Sequence, residues 1–246
     1  MSIKDKLKSF FERFLNFFYP PACVGCDAIL AEPGTFCPEC LKLYQEEKLR
    51  QCGICFQPLQ ACKCGIKGKE RHDTTHLYKV FSYRPNQRNL ITNKLIYAIK
   101  DSHLYYPAEF VAEELYQTVK LHGLKLSGYE ITYIPASKKR MIKKGYNQLS
   151  LISEMLGKRL GLAVSPVLYR TRETRPQKEL KEQQRVENVK DLFRVEEDES
   201  LDGRKFILID DICTTGSTLI SAGKALREAG ASRVIYLVIA STVGKT

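Results

Sequence analysis

The sequence predicts an α/β protein, a mostly parallel sheet flanked by helices, with a small metal-binding module ahead of it. Three observations lead there. Eight of the nine cysteines crowd between Cys23 and Cys64. Downstream of them, short apolar runs alternate with stretches of helical period. The most distinctive polar segments fall directly behind apolar runs, where parallel strands present their ligands.

Residues 1–20 come first, as an amphipathic helix. Ile3, Leu7, Phe10, Phe11, Phe14, Leu15 and Phe18 recur at helical spacing, with Lys4, Lys6, Lys8 and Arg13 between them. Such a helix can lie on a membrane surface, though packing on protein is the commoner fate. The opening residues lack a signal peptide's apolar core and cleavage site, and no run approaches about 18 consecutive apolar residues, so a cytoplasmic protein is expected.

Residues 21–66 form the cysteine-rich module. Its pairs are Cys23 and Cys26, Cys37 and Cys40, Cys52 and Cys55, and Cys62 and Cys64. Thiolates two or three residues apart bend round one tetrahedral ion, and two pairs close a structural site, so two zinc ions fit the count. A disulfide framework belongs to exported proteins, and nothing directs export here. Sequential pairing puts the first four cysteines on one ion and the last four on the other; an interleaved cross-brace is equally consistent. With eight thiolates engaged no position stays open for water, so the metal is structural. Few other apolar residues lie in the span 27–71, so metal is expected to supply most of the folding energy. His72 and His76 are conceivable substitute ligands, but more often such residues are ordinary loop histidines. The polar, basic stretch Gly65 to Arg71 is the expected linker to a main domain at 72–246.

In that domain Tyr78 to Tyr83, Tyr129 to Ile134, Val167 to Arg170, Phe206 to Ile209 and Val234 to Ile239 read as strands. Helical periods follow at Leu90 to Ile99, Val111 to Val119, Leu149 to Leu160 and Leu219 to Ala229, the last stopped by Gly230. At 246 residues, 43% hydrophobic and 27% charged, the chain is neither disordered nor membrane-embedded in composition. Lys and Arg number 39 against 28 Asp and Glu, a net charge of +11. That excess attracts nucleic acid, phosphorylated metabolites or anionic lipid, although an evenly basic solvated surface accounts for it equally well.

The strongest signal is Phe206-Ile207-Leu208-Ile209-Asp210-Asp211-Ile212-Cys213-Thr214-Thr215-Gly216-Ser217-Thr218. The turn Thr214, Thr215, Gly216, Ser217, Thr218 offers backbone N–H groups, hydroxyls and a helix start to a phosphate. Asp210 and Asp211 repel phosphate and make sense as acceptors for sugar hydroxyls beyond it. Together they describe ribose 5-phosphate. No Walker-type loop occurs. A second anion site follows the strand at 129–134, where Ser137 precedes Lys138, Lys139, Arg140, Lys143 and Lys144. This basic loop suits a pyrophosphate or a nucleic-acid backbone, and a merely solvated loop is the bland alternative. A third polar cluster runs from Arg170 through Thr174 and Gln177 to Arg185 and Asn188.

The segment 206–218 resembles the phosphoribosyl pyrophosphate (PRPP) motif of type I phosphoribosyltransferases in its apolar positions, acidic pair and Thr-Gly-Ser-Thr loop. That resemblance implies a phosphoribosyltransferase-like fold and Mg²⁺ bound with PRPP. Thr214 stands where purine-salvage members carry an aspartate, which argues against 6-oxopurine salvage. With Lys144-Gly145-Tyr146-Asn147-Gln148 and the cluster Thr174, Gln177, Arg185, Asn188, nearly the whole chain resembles the ComF (competence protein F) family; Lys144 and Tyr146 replace the commoner Arg and Phe. The resemblance implies a cytoplasmic zinc protein of DNA uptake in natural transformation, linked to single-stranded DNA and a helicase-like partner. Three functions compete: a PRPP-holding DNA-uptake module, an active phosphoribosyltransferase with an unidentified acceptor and unknown catalytic residue, and a metabolite sensor without turnover.

Overall fold

The computed structural model describes residues 21–49, 77–101, 105–172, 191–196 and 199–242. Outside them lie the amphipathic segment, the linker, Cys52, Cys55, Cys62, Cys64, His72, His76, Thr174, Gln177, Arg185 and Asn188.

The elements run α1 (Pro38–Lys48), β1 (Leu77–Tyr83), α2 (Ile91–Asp101), α3 (Tyr105–Leu121), β2 (Tyr129–Tyr133), α4 (Lys138–Lys144), α5 (Gln148–Leu160), β3 (Leu168–Arg170), β4 (Phe193–Val195), β5 (Lys205–Cys213), α6 (Ser217–Glu228) and β6 (Arg233–Thr242). A four-stranded parallel sheet has the order β1-β6-β5-β2. Its register pairs Phe81 with Ala240, Ile207 with Ile235 and Ile131 with Ile207. β3 and β4 form a separate antiparallel pair, Leu168 opposite Val195 and Arg170 opposite Phe193.

The central strands explain their own sequences. Phe206 to Ile209 and Tyr236 to Ala240 are buried at every position, which a strand covered on both faces requires and which yields an unbroken apolar run. α3 packs on α5 and β1, α5 reaches β2 and β5, and α6 packs against β4, β5 and β6. At the amino ends of β2 and β5 the Arg204 guanidinium grips Glu130 through Nε and Nη2, at 2.9 and 2.8 Å, and reaches Glu199 at 3.0 Å. A planar fork on one carboxylate is the strongest form of such a pair.

Three local readings need correction. The basic stretch 138–144 is a helix, not a loop: the Ser137 hydroxyl accepts the Arg140 N–H at 3.2 Å, and Gly145 closes the other end with φ of 76°. Two good caps outweigh the repulsion of five adjacent cations. β5 does not stop at Ile209; its ladder continues through Asp210 opposite Val238 to Cys213 opposite Ser241. β4 has only three residues, too few to carry a period, and exists because it pairs with β3.

The described half of the cysteine module also departs from expectation. Cys37 precedes α1, whose first residue is Pro38, a proline suited to a position with no N–H partner. α1 turns Tyr44 inward to 1% exposure. Its ring stacks on Phe36 at 5.6 Å and meets Phe110 and Phe81 edge-on at 5.0 and 6.0 Å. The Tyr44 hydroxyl donates to Glu114 at 3.0 Å, and Lys48 pairs with the same carboxylate. Metal is therefore not the only source of folding energy for residues 21–49, because Phe36, Leu41 and Tyr44 share the core of the sheet domain.

Tyr44→Ala empties that aromatic seat and is expected to cost about 3–5 kcal/mol, read as a lowered urea midpoint. A loss under about 1 kcal/mol, within the range of ordinary surface substitutions, would show that the module stands on its metal alone.

Candidate functional site

All four parallel strands end on one edge of the sheet, and the polar motifs gather there. The acidic pair occupies the last turn of pleat in β5. Asp210 is 7% exposed, and its Oδ1 accepts the Asp211 N–H at 2.8 Å. Asp211 Oδ1 accepts the Ile212 N–H at 2.7 Å, while Oδ2 faces Lys100 Nζ at 3.0 Å. Burial, followed by the Asp211 charge, pushes the Asp210 carboxyl up to about 7, against the opposing pull of the Asp211 N–H, Lys100 and Arg170. One carboxyl of the pair is thus poised to hold a proton near neutrality.

Behind the pair, Thr214 to Gly216 form the loop and α6 begins at Ser217. Gly216 takes φ of 81°, a conformation few other residues adopt, and brings no side-chain cap to the helix. The Thr215 and Ser217 hydroxyls lie 2.9 Å apart, and Thr242 at the end of β6 donates to the Thr214 carbonyl at 3.2 Å. The loop is thereby anchored to the neighbouring strand, with the Thr215 and Ser217 hydroxyls side by side at the start of α6.

The basic segment lies beside this loop for a topological reason. β2 pairs with β5, and the Ile134 N–H donates to the Ile209 carbonyl at 3.0 Å, so residues 135–140 start next to Asp210. Ser137 spends its hydroxyl on capping α4. Lys138, Lys139 and Arg140 form the first turn of α4 and Lys144 its last residue; no residue of α4 is buried, and Ile142 is 87% exposed. Asn147 is a capping residue: its side chain accepts the Leu149 N–H at 3.1 Å and donates to the Ile134 carbonyl at 3.0 Å. Gln148 is buried at the start of α5.

Several residues at the edge lie outside the sugar-phosphate and basic segments. Lys100 ends α2 and meets Asp211 only through the fold. Arg170 donates from Nε to the Pro135 carbonyl at 2.8 Å, with its guanidinium 5.3 Å from the Phe193 ring centre. The Tyr83 and Tyr97 hydroxyls are 3.2 Å apart, and burial, helped by Tyr97, pushes the Tyr83 phenol up to about 12. For the α2 residues the hint was spacing, since Asn93, Tyr97 and Lys100 share one helix face, whereas Arg170 opens the third polar cluster of the sequence. Cys213, buried in β5, has its thiol pushed up to about 12 by burial and acts as packing. Two clefts of about 550 and 690 Å³ are lined by Tyr116, Lys120 and Leu162, and by Asp191, Arg194 and Lys224; neither includes the acidic pair.

The sulfur atoms of Cys23, Cys26, Cys37 and Cys40 all lie within 4.8 Å of one another. Cys26 and Cys37 are 3.8 Å apart, close to the roughly 3.8 Å edge of a tetrahedron with metal–sulfur bonds near 2.3 Å. The Gly25 and Cys37 N–H groups donate to Cys23 Sγ at 3.3 Å each. Burial acts to raise the Cys23 thiol, yet these donors and that of Cys26 bring it down to about 7. Four convergent thiols with backbone donors fit a metal ion. Among the described residues it is the sequential set that converges.

The family model for the phosphoribosyl transferase domain matches residues 152–245. Competence protein F of Haemophilus influenzae is 29% identical over 231 residues, 90% of this chain and 95% of that one. The DNA utilization protein YhgH of Escherichia coli K12 is 28% identical, covering 86% of each chain. Competence protein ComFC of Streptococcus pneumoniae is 27% identical over 86% of this chain and 84% of its own. Among solved structures, the glutamine phosphoribosylpyrophosphate amidotransferase from B. subtilis aligns with 58% of this chain and 30% of its own, at 16% identity and a TM-score of 0.38.

The raised Asp210 carboxyl has a signed consequence. Its folded value near 7 exceeds an unfolded value near 4, so the associated stability is complete below about pH 4 and is lost as pH rises through 7. Asp210→Asn removes that loss. Thermal unfolding without ligand is expected to show no gain near pH 4 and a gain of roughly 1–4 kcal/mol at pH 8. A difference independent of pH would refute the assignment.

Proposed function

We propose that this member of the competence protein F family binds PRPP at the carboxyl edge of its sheet and serves DNA uptake as a cytoplasmic protein. The observation that carries this reading is the order of groups along β5 and α6. A carboxylate pair held by backbone N–H groups leads directly into a hydroxyl-lined loop at a helix start. The loop 214–218 takes the 5-phosphate through Thr214, Thr215, Gly216, Ser217 and Thr218. Asp210 and Asp211 take the ribose hydroxyls, and Ser137 to Arg140 face the pyrophosphate with Mg²⁺. Ser137 contributes through the turn it caps, its hydroxyl being engaged with Arg140.

Cys23, Cys26, Cys37 and Cys40 hold one structural zinc, and the remaining four cysteines a second. The competence and DNA utilization names of the relatives support a role with DNA. α4 is the contact surface for single-stranded DNA, five cations and the exposed Met141 and Ile142 on seven residues, and a helicase-like competence protein is the expected partner. Among the described residues no helix is long and apolar enough to cross a membrane. Turnover as a phosphoribosyltransferase is the second reading, favoured by Lys100 and Arg170, whose charges bear on the acidic pair.

Calorimetric titration with PRPP and Mg²⁺ is expected to show saturable binding, weakened at least about tenfold, some 1.4 kcal/mol, in the Asp210→Asn, Asp211→Asn double variant. No binding by the parent protein would overturn the reading. Phosphorus NMR of the same sample separates the alternatives, since released pyrophosphate marks an enzyme. Affinity for a single-stranded oligonucleotide is expected to fall steeply with salt and to drop when Lys138, Lys139 and Arg140 become Ala. Affinity insensitive to both would remove α4 from DNA contact.

A further inference from the structure

We propose that the four-cysteine unit governs the sugar-phosphate site through α2, by holding that helix where Lys100 engages Asp211. The proposal rests on the PRPP reading of that site and adds to it a control point and two positioning residues, Glu47 and Lys100.

The coupling starts at the amino end of α2, away from Lys100. Its first N–H groups need acceptors, and the preceding residue, Leu90, has no side-chain oxygen to supply one. Glu47, near the end of α1, supplies both. Its carboxylate accepts the Ile91 N–H at 3.2 Å, the Thr92 N–H at 3.0 Å and the Thr92 hydroxyl at 3.0 Å. A negative charge at a helix N-terminus is also favoured by the helix dipole. The cap thus comes from an element whose own start, Cys37 and Cys40, belongs to the thiol cluster.

A second contact lies one turn further on. Lys94 Nζ donates to the Gly25 carbonyl, between Cys23 and Cys26. Gly25 sits so tightly that a Cβ there would fall 2.5 Å from Cys40 Sγ and 2.7 Å from Ile91 Cδ1. The knuckle and the first turn of α2 are in direct contact, with no room for adjustment by a side chain.

Along its length the same helix builds the functional edge. Asn93 donates to the carbonyls of Arg84 and Gln87 at 2.6 and 2.8 Å and so fixes the loop after β1. Tyr97 meets Tyr83, and Lys100 meets Asp211 at 3.0 Å. Lys100 offsets one of two adjacent carboxylates, which lowers the repulsion an anionic sugar phosphate meets on approach. A rigid helix held at one end by the thiol cluster and carrying that ammonium at the other couples the two sites. Removing the metal loosens the cysteine-bearing start of α1, weakens the Glu47 cap on α2 and lets Lys100 shift from Asp211.

The test uses the full zinc-loaded chain. Hydrogen exchange across residues 91–101 is expected to quicken about tenfold or more in Glu47→Ala and after chelation, with α5 unchanged; unchanged exchange in Glu47→Ala overturns the proposal. Affinity for PRPP with Mg²⁺ is expected to fall on the order of tenfold in Glu47→Ala and in Lys100→Met, with Lys100→Arg largely restored. The Glu47→Ala, Lys100→Met double variant should bind no more weakly than either alone; independent, multiplying losses would overturn the link through Lys100. A parent protein that shows metal-dependent protection of α2 but no PRPP binding would refute the ligand assignment while supporting the mechanical coupling.

Discussion

Two neighbouring carboxylates at the end of a strand buried on both faces impose the constraint around which the carboxyl edge is arranged. Placing Asp210 at 7% exposure beside Asp211 makes desolvation and like-charge repulsion act together, both raising its carboxyl. The sheet answers with two backbone N–H donors, one lysine from α2 and the field of Arg170. These donors and charges act against burial and the Asp211 charge, and the Asp210 carboxyl stays raised. A ligand that brings hydroxyl donors to the pair would add to that relief.

The opposite edge makes the contrast plain. Glu130 there meets Arg204 in a two-point fork and its carboxyl is held below the usual range, chiefly by hydrogen bonding to that guanidinium. The same pairing at the carboxyl edge would tie up Asp211 in a rigid two-point fork. Lys100 instead offers one flexible ammonium to Oδ2, while Oδ1 accepts the Ile212 N–H.

Much of this was legible because it is local. The apolar runs marked every strand of the parallel sheet, since burial on both faces writes itself into consecutive residues. The acidic pair and the loop behind it stood out because adjacent residues do adjacent jobs. Four cysteine pairs announced a metal, and the first two pairs do converge. What stayed hidden depends on contacts between distant segments. Lys100 is one of 39 basic residues until the fold sets it against Asp211. α1 has weak amphipathicity, and its purpose lies in Tyr44 and Glu47, whose partners are some 45 to 70 positions away. The helix at 138–144 was misread because charge density suggests a loop, whereas the decision rests with the two caps, Ser137 and Gly145.

The hidden contacts also explain why the cysteine unit and the sheet domain occur in one chain. A structural metal site needs no partner to fold, and a sheet of this kind needs no metal. Here the boundary between them is shared: Tyr44 fills the seat between Phe81 and Phe110, Glu114 receives both Tyr44 and Lys48, and Glu47 supplies the missing acceptors of α2. Each of these contacts is polar or aromatic and specific in direction, so a shift of α1 by one turn would leave Glu114 without its hydroxyl donor, α2 without its cap and Phe110 beside a void. A joint of that kind transmits displacement instead of absorbing it. The edge that bears Asp210 and Asp211 therefore inherits its geometry from residues 21–49 as well as from its own strands.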